Sequence, residues 1–186
     1  MDAFIRLANA MHFVIEFARL NKFRLNATLL LKIIFFSEVR ALYDGCEPLT
    51  KVRMIKAQYG PAPEHYQDAL NWLVIEKKIQ ILTGKDETSF KDISSPDVAL
   101  FNDQQLDILR SVTHIICTEF TASIISDWTH KNRIWDLLDI NEKIPLSAYL
   151  PNSKIFMEFT PEELEKYRLK AESYEVPEEF QISSDL

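Results

Sequence analysis

Residues 27–43, ATLLLKIIFFSEVRALY, constrain the fold more than any other stretch of this chain. Asn26 offers a side-chain acceptor for the free N–H groups of a first helical turn, and Gly45 supplies a residue at which helices commonly stop. Between them Lys32 is the only charge before Glu38, and apolar residues run round most of the circumference instead of along one stripe. A helix of that kind has to be enclosed by other elements, because either face left in water would expose a large apolar surface. With 186 residues and 47% hydrophobic content, the chain holds enough apolar material to enclose it within a single domain.

The enclosing elements can be read in turn. Phe4, Leu7, Met11, Val14 and Ala18 recur at three- and four-residue steps, which predicts an amphipathic N-terminal helix packed on the domain. Val52, Met54, Ile55, Ala57 and Tyr59 read as a short strand. Tyr66, Ala69, Leu70 and Leu73 form the buried stripe of a third helix. Residues 79–93 predict a hairpin with a polar tip at Gly84, Lys85 and Asp86, and a helix followed by a hairpin resembles the wing of a winged-helix module. Asn102 and Gln105 make a capping box for a helix whose face is Leu106, Leu109, Val112 and Ile116; Thr121 caps another, and Pro145 marks a turn or a new short helix. Thr160, Pro161 and Glu163 predict a surface helix over 161–172. The expected fold is mainly α, a compact helical domain with a small strand and hairpin element and winged-helix-like features.

The stretch AQYGPAPEHY, residues 57–66, is the stiffest in the chain. Residues that precede proline avoid the helical region, so Gly60 before Pro61 and Ala62 before Pro63 keep the backbone extended. Pro63 then suits the first position of the next helix, which makes the stretch a strand-to-helix junction.

Composition excludes several classes of function. Residues 160–186 hold eight acids against three bases, five of the seven net negative charges, while the body is nearly neutral. Binding to nucleic acid draws on lysine and arginine neutralising phosphates, so neither part carries such a footprint. Arg6, His12 and Glu16 interrupt the apolar N-terminus, which fits neither a signal peptide nor a membrane span. Two cysteines, Cys46 and Cys117, make no disulfide framework, and a reducing cytoplasm is the expected compartment. His65 with Asp68, and His114 with Cys117, are each three apart, close enough to share a metal but short of the ligand number a site needs. Three glycines leave little for a phosphate-cradling loop, and no nucleophile elbow, zinc-protease or nucleotide-binding motif occurs. No catalytic residue, metal or cofactor is therefore expected, and a hydrolase is the weakest reading.

Two stretches carry a more specific signal. LLLKIIFFSEVRALYDGCEPLTKVRMIKAQYGPAPEHYQDAL and, further on, ISDWTHKNRIWDLLDINEKIPLSAYL contain Leu30, Lys32, Ile33, Phe35, Phe36, Pro48, Leu49, Thr50, Tyr59, Gly60, Pro61, Thr129, His130, Trp135, Ile144 and Pro145 in order. Together they resemble the Panacea domain of the SocA-like antitoxins of bacteria and phages, over residues 26–150. The chain departs from that pattern at Phe35, Ser37, Ala62 and Ile134, where the family has tyrosine, alanine, valine and proline. The resemblance implies a small helical domain, flanked by segments 1–25 and an acidic 151–186, that neutralises a cognate protein toxin encoded nearby by direct contact. Tyr59, Gly60, Pro61, Trp128, His130 and Trp135 are the candidate partner-binding residues, since tyrosine and tryptophan are enriched at interface hot spots and a Gly-Pro junction limits the entropy lost on binding. The competing account of the same six is that they pack the junction against the later helix. A winged-helix DNA-binding regulator, or an adaptor encoded by a phage or prophage, is the alternative function.

Overall fold

In a computed structural model, residues 2–84, 88–132 and 134–150 are described. The helix expected over 161–172 and the hairpin tip beyond Gly84 lie outside these residues. The described elements run α1 (Asp2–Leu20), α2 (Ala27–Tyr43), β1 (Met54–Ala57), β2 (Gly60–Pro63), α3 (Tyr66–Ile75), β3 (Ile79–Thr83), β4 (Thr88–Asp92), α4 (Asp103–Glu119), α5 (Ala122–His130) and α6 (Ile134–Leu137). The architecture is mainly α with two small antiparallel strand pairs.

The enclosed helix is α2, buried on all sides from Leu29 to Val39 except at Leu31. Asn26 caps it by accepting from Leu29 N–H at 2.9 Å, and Gly45 follows it at φ +69. Helices α1, α4 and α5, together with β2, pack around it. Helix α1 lies deeper than a one-faced surface helix: residues 7–15 are all buried, Asn9 and His12 included. Its polar members are buried because later segments reach them. His12 Nε2 lies 3.0 Å from Asp92 Oδ1 and 2.7 Å from the Ser94 carbonyl. Both partners accept, so that nitrogen carries the proton. Asn9 Oδ1 accepts from Asp97 N–H at 3.1 Å. The capping boxes follow the sequence: Asn102 and Gln105 cap α4 reciprocally, and Thr121 accepts from Ile124 N–H at the start of α5.

One expectation is corrected here. Residues 54–63 form a hairpin, not a strand leading into a helix: Met54, Ile55, Lys56 and Ala57 pair with Pro63, Ala62, Pro61 and Gly60. Pro63 ends β2 and does not start α3, which begins at Tyr66 after His65 in the left-handed region at φ 62. The reason lies in ladder parity. Glu64 N–H donates to the Arg53 carbonyl, so the hydrogen-bonded pairs are 53 with 64, 55 with 62 and 57 with 60. Pro61 and Pro63 fall at the intervening positions, where a missing N–H breaks no bond. The outer edge of β1 is covered as well, by bonds from Lys56 N–H to the Glu142 carbonyl and from Ile144 N–H to the Met54 carbonyl.

Candidate partner-binding site

Lys32 lies in the middle of α2 with only 1% of its surface exposed. Its stem fills the core, and its ammonium donates to the Tyr59 carbonyl at 2.8 Å, with the Pro61 carbonyl at 3.5 Å. Burial pushes its pKa down to about 7. From the other side Ser126 Oγ on α5 donates to the same Tyr59 carbonyl at 3.1 Å. The turn of the β1–β2 hairpin is thus held between two helices by its own backbone. Gly60 is required there, since its φ is +112 and a methyl group would run into Lys32 Nζ and lie 2.9 Å from Thr129 Oγ1.

The second charge on α2 performs a similar task at another loop. Glu38 is buried and accepts from Leu49 N–H at 3.0 Å, Thr50 N–H at 2.7 Å and the Thr50 hydroxyl. Burial raises its carboxyl above the ordinary range, against the pull of those three donors and of Arg6. Arg6 itself donates to the Leu49 and Leu100 carbonyls and to Gln105 Oε1. Gln105 Nε2 in turn donates to the carbonyls of Glu47 at 3.1 Å and Pro48 at 3.3 Å. The Pro48-Leu49-Thr50 segment is therefore tied to α1, α2 and α4.

The six candidate residues separate by depth. Tyr59 stands 66% exposed at the hairpin tip. Gly60 and Pro61 are buried behind it, and Trp128 is buried against Phe36 and Phe120 with ring centroids 5.4 and 6.5 Å apart. His130 and Trp135 are half-buried and stack on each other at 4.3 Å and 20°. Lys56 Nζ sits 4.7 Å over the Trp135 ring and donates to the carbonyls of Trp135 at 2.6 Å and Leu138 at 2.8 Å, joining the hairpin to α6. Desolvation, with Lys32 and Lys56 nearby, lowers the pKa of His130, although Asp127 and Asp136 oppose the effect. Beneath them Tyr149 is buried edge-on to Phe35 at 4.9 Å, and its hydroxyl donates to the Thr129 carbonyl at 3.0 Å. The sequence reading did not reach Glu38, Ser126, Lys56 or Tyr149. For Glu38 a signal was present, a carboxylate in an otherwise apolar helix; the other three are placed by contacts between distant segments.

An open cleft of ≈ 700 Å³ lies beside the hairpin tip, walled by the first turn of α2, by Tyr59 and Gln58, and by Tyr66 and Gln67 at the start of α3. Neither of the two metal-spaced pairs lines it. His65 Nδ1 and Asp68 Oδ2 are 3.3 Å apart and exposed. His114 packs edge-on to Phe23, while burial pushes the half-buried Cys117 thiol up to about 11. Among the described residues no three His, Cys, Asp or Glu side chains group as metal ligands, and no single helix is long and apolar enough to cross a membrane.

A family model described as Antitoxin SocA-like, Panacea domain, matches residues 30–136. That span includes Lys32, the β1–β2 hairpin and α5, which meet at Tyr59, and Glu38, which holds the Leu49–Thr50 segment. No curated protein and no solved structure matched the chain.

Proposed function

The chain belongs to the SocA-like, Panacea-domain antitoxin family, and from that premise we propose that it neutralises a cognate protein toxin by direct contact. It acts by occupying the toxin and not by turnover, without metal or cofactor, in the cytoplasm, and apart from membrane and nucleic acid. In this reading residues 26–150 are the neutralising unit, 1–25 its packed N-terminal helix and 151–186 an acidic appendage. The observation that carries it is a meeting of segments: Lys32 from α2, Tyr59 and Gly60 from the hairpin and Ser126 and Thr129 from α5 converge at one place, and there an aromatic side chain projects from a backbone already fixed. A backbone held in advance leaves only side-chain freedom to be lost on binding, which favours interface use. Tyr59, His130 and Trp135 make the contacts; Gly60, Pro61 and Trp128 hold them in place.

The experiment is co-expression. A reading frame adjacent to the gene, expressed alone, arrests growth; expression of this chain relieves the arrest, and the two products co-elute as a complex. Relief without a complex, or no arrest from any neighbouring frame, overturns the reading. The alternative, a DNA-binding regulator with β3–β4 as its wing, requires instead that the purified chain retard its own upstream DNA at ~150 mM salt.

A further inference from the structure

We propose that the cleft beside Tyr59 seats an uncharged peptide segment of the toxin, one that brings an apolar side chain and backbone amides. The identity of the partner rests on the antitoxin reading above; the chemistry of the seat rests on the cleft itself. Its volume, ≈ 700 Å³, falls within the range of sites that take a compact ligand, and it is partly open to solvent, as a chain segment entering from a larger body requires.

Its lining selects against charge. No carboxylate lines it among the described residues, so a cationic group finds no counter-charge. Among the described residues its cation is Lys32, whose ammonium is already bonded to the Tyr59 carbonyl and whose side chain is almost wholly covered, so a phosphate or a carboxylate finds no exposed cationic side chain. What the walls do offer is neutral. Tyr59 and Tyr66 present aromatic rings that can flank an apolar side chain, and Gln58 and Gln67 present amides able both to donate and to accept. A backbone amide, with one donor and one acceptor, is matched by such side chains where a charged group is not. Both rings are also fixed at their roots, Tyr59 by the two bonds to its carbonyl and Tyr66 as the first residue of α3 after the left-handed His65.

A heptapeptide library displayed on phage and selected on the full chain tests this without knowledge of the toxin. Enriched peptides should share an apolar residue among uncharged neighbours, lose at least about tenfold in affinity for Tyr59→Ala, and block complex formation with the toxin. Gln58→Trp, which obstructs the cleft mouth and removes no packed group, should lose binding in the same way, with circular dichroism and unfolding midpoint unchanged in both variants. A library that yields no binder, or binders indifferent to both substitutions, overturns the proposal. Enriched peptides dominated by charged residues overturn it too, as does a dimer of the chain that Tyr59→Ala dissociates, since the occupant would then be a second copy. The two readings fail separately. Toxin neutralisation undiminished in both variants leaves the antitoxin and removes the cleft; peptides held in the cleft by a chain that relieves no growth arrest leave the cleft and remove the antitoxin.

Discussion

The two hairpins of this protein are alike in size and differ in how they are held. β1–β2 has four residues on each strand, and Gly60 to Pro63 are all buried; its turn is fastened by backbone carbonyls to Lys32 and Ser126, and its outer strand is covered by residues 141–144. β3–β4 has five on each strand, and of its described residues only Ile79 is fully buried. It is fastened at its base, where Asp92 takes the His12 N–H and an ion pair at 3.1 Å from the exposed Arg19. A two-stranded hairpin alone is marginal in water. Its order comes from what surrounds it, and here one hairpin is fixed at its turn by two helices, while the other is fixed at its root and along β4 by the Asn26–Ser89 bridge. A turn fixed in space holds the root of its exposed side chain, Tyr59, in one place.

The contrast can be broken in three places. The largest effect is expected from Lys32. Its folded pKa, about 7, lies below the ordinary lysine value of 10.5 that applies to the unfolded chain, so between those values the unfolded chain binds more protons and stability rises with pH. Below pH 7 both states are charged and the penalty for burying the ammonium is fully present. The gain from pH 7 to 10.5 amounts to at most about 5 kcal/mol. Lys32→Met should remove this rise, which urea titrations of both proteins across that window will read as parallel or diverging curves. Parallel curves would mean that Lys32 keeps an ordinary pKa.

Gly60→Ala comes next. It combines a left-handed φ with a methyl group pressed onto Lys32 and Thr129, and should destabilise by about 3 to 4 kcal/mol, whereas Gly45→Ala, at φ +69 with nothing within 4 Å, should cost only about 1. Equal shifts in thermal midpoint for the two would show that the hairpin turn is not pinned from within.

The smallest of the three is His12→Ala. It removes a donor from the nearly covered Asp92 but leaves Arg19 in place, so the loss should be about 2 kcal/mol. The sharper readout is local. Amide exchange should quicken in β3 and β4 and stay unchanged in β1 and β2. Quickening in both pairs would merge the two hairpins into one cooperative unit.

Much of the fold was legible before any coordinates. The apolar girth of α2, the caps Asn26, Asn102 and Thr121, and the stripe Leu106, Leu109, Val112 and Ile116 are local signals, each written within one or two turns of the chain, and each is realised. The ordered segments that mark the family are also a property of sequence, and they place the chain among the SocA-like antitoxins. Periodicity reports which face of an element is apolar, but not which later element covers it. Lys32 and Tyr59 are separated by 27 residues, His12 and Asp92 by 80, and no pattern in either neighbourhood names the other. The misreading of Pro63 has the same origin. A proline after an extended run fits the start of a helix or a silent position in a ladder equally well, and only the pairing with Met54 chose between them. Tertiary structure likewise decided that Tyr59 is exposed while Gly60, Pro61 and Trp128 are buried, because depth in a core depends on everything packed around a residue, and adjacency in the chain does not carry that information.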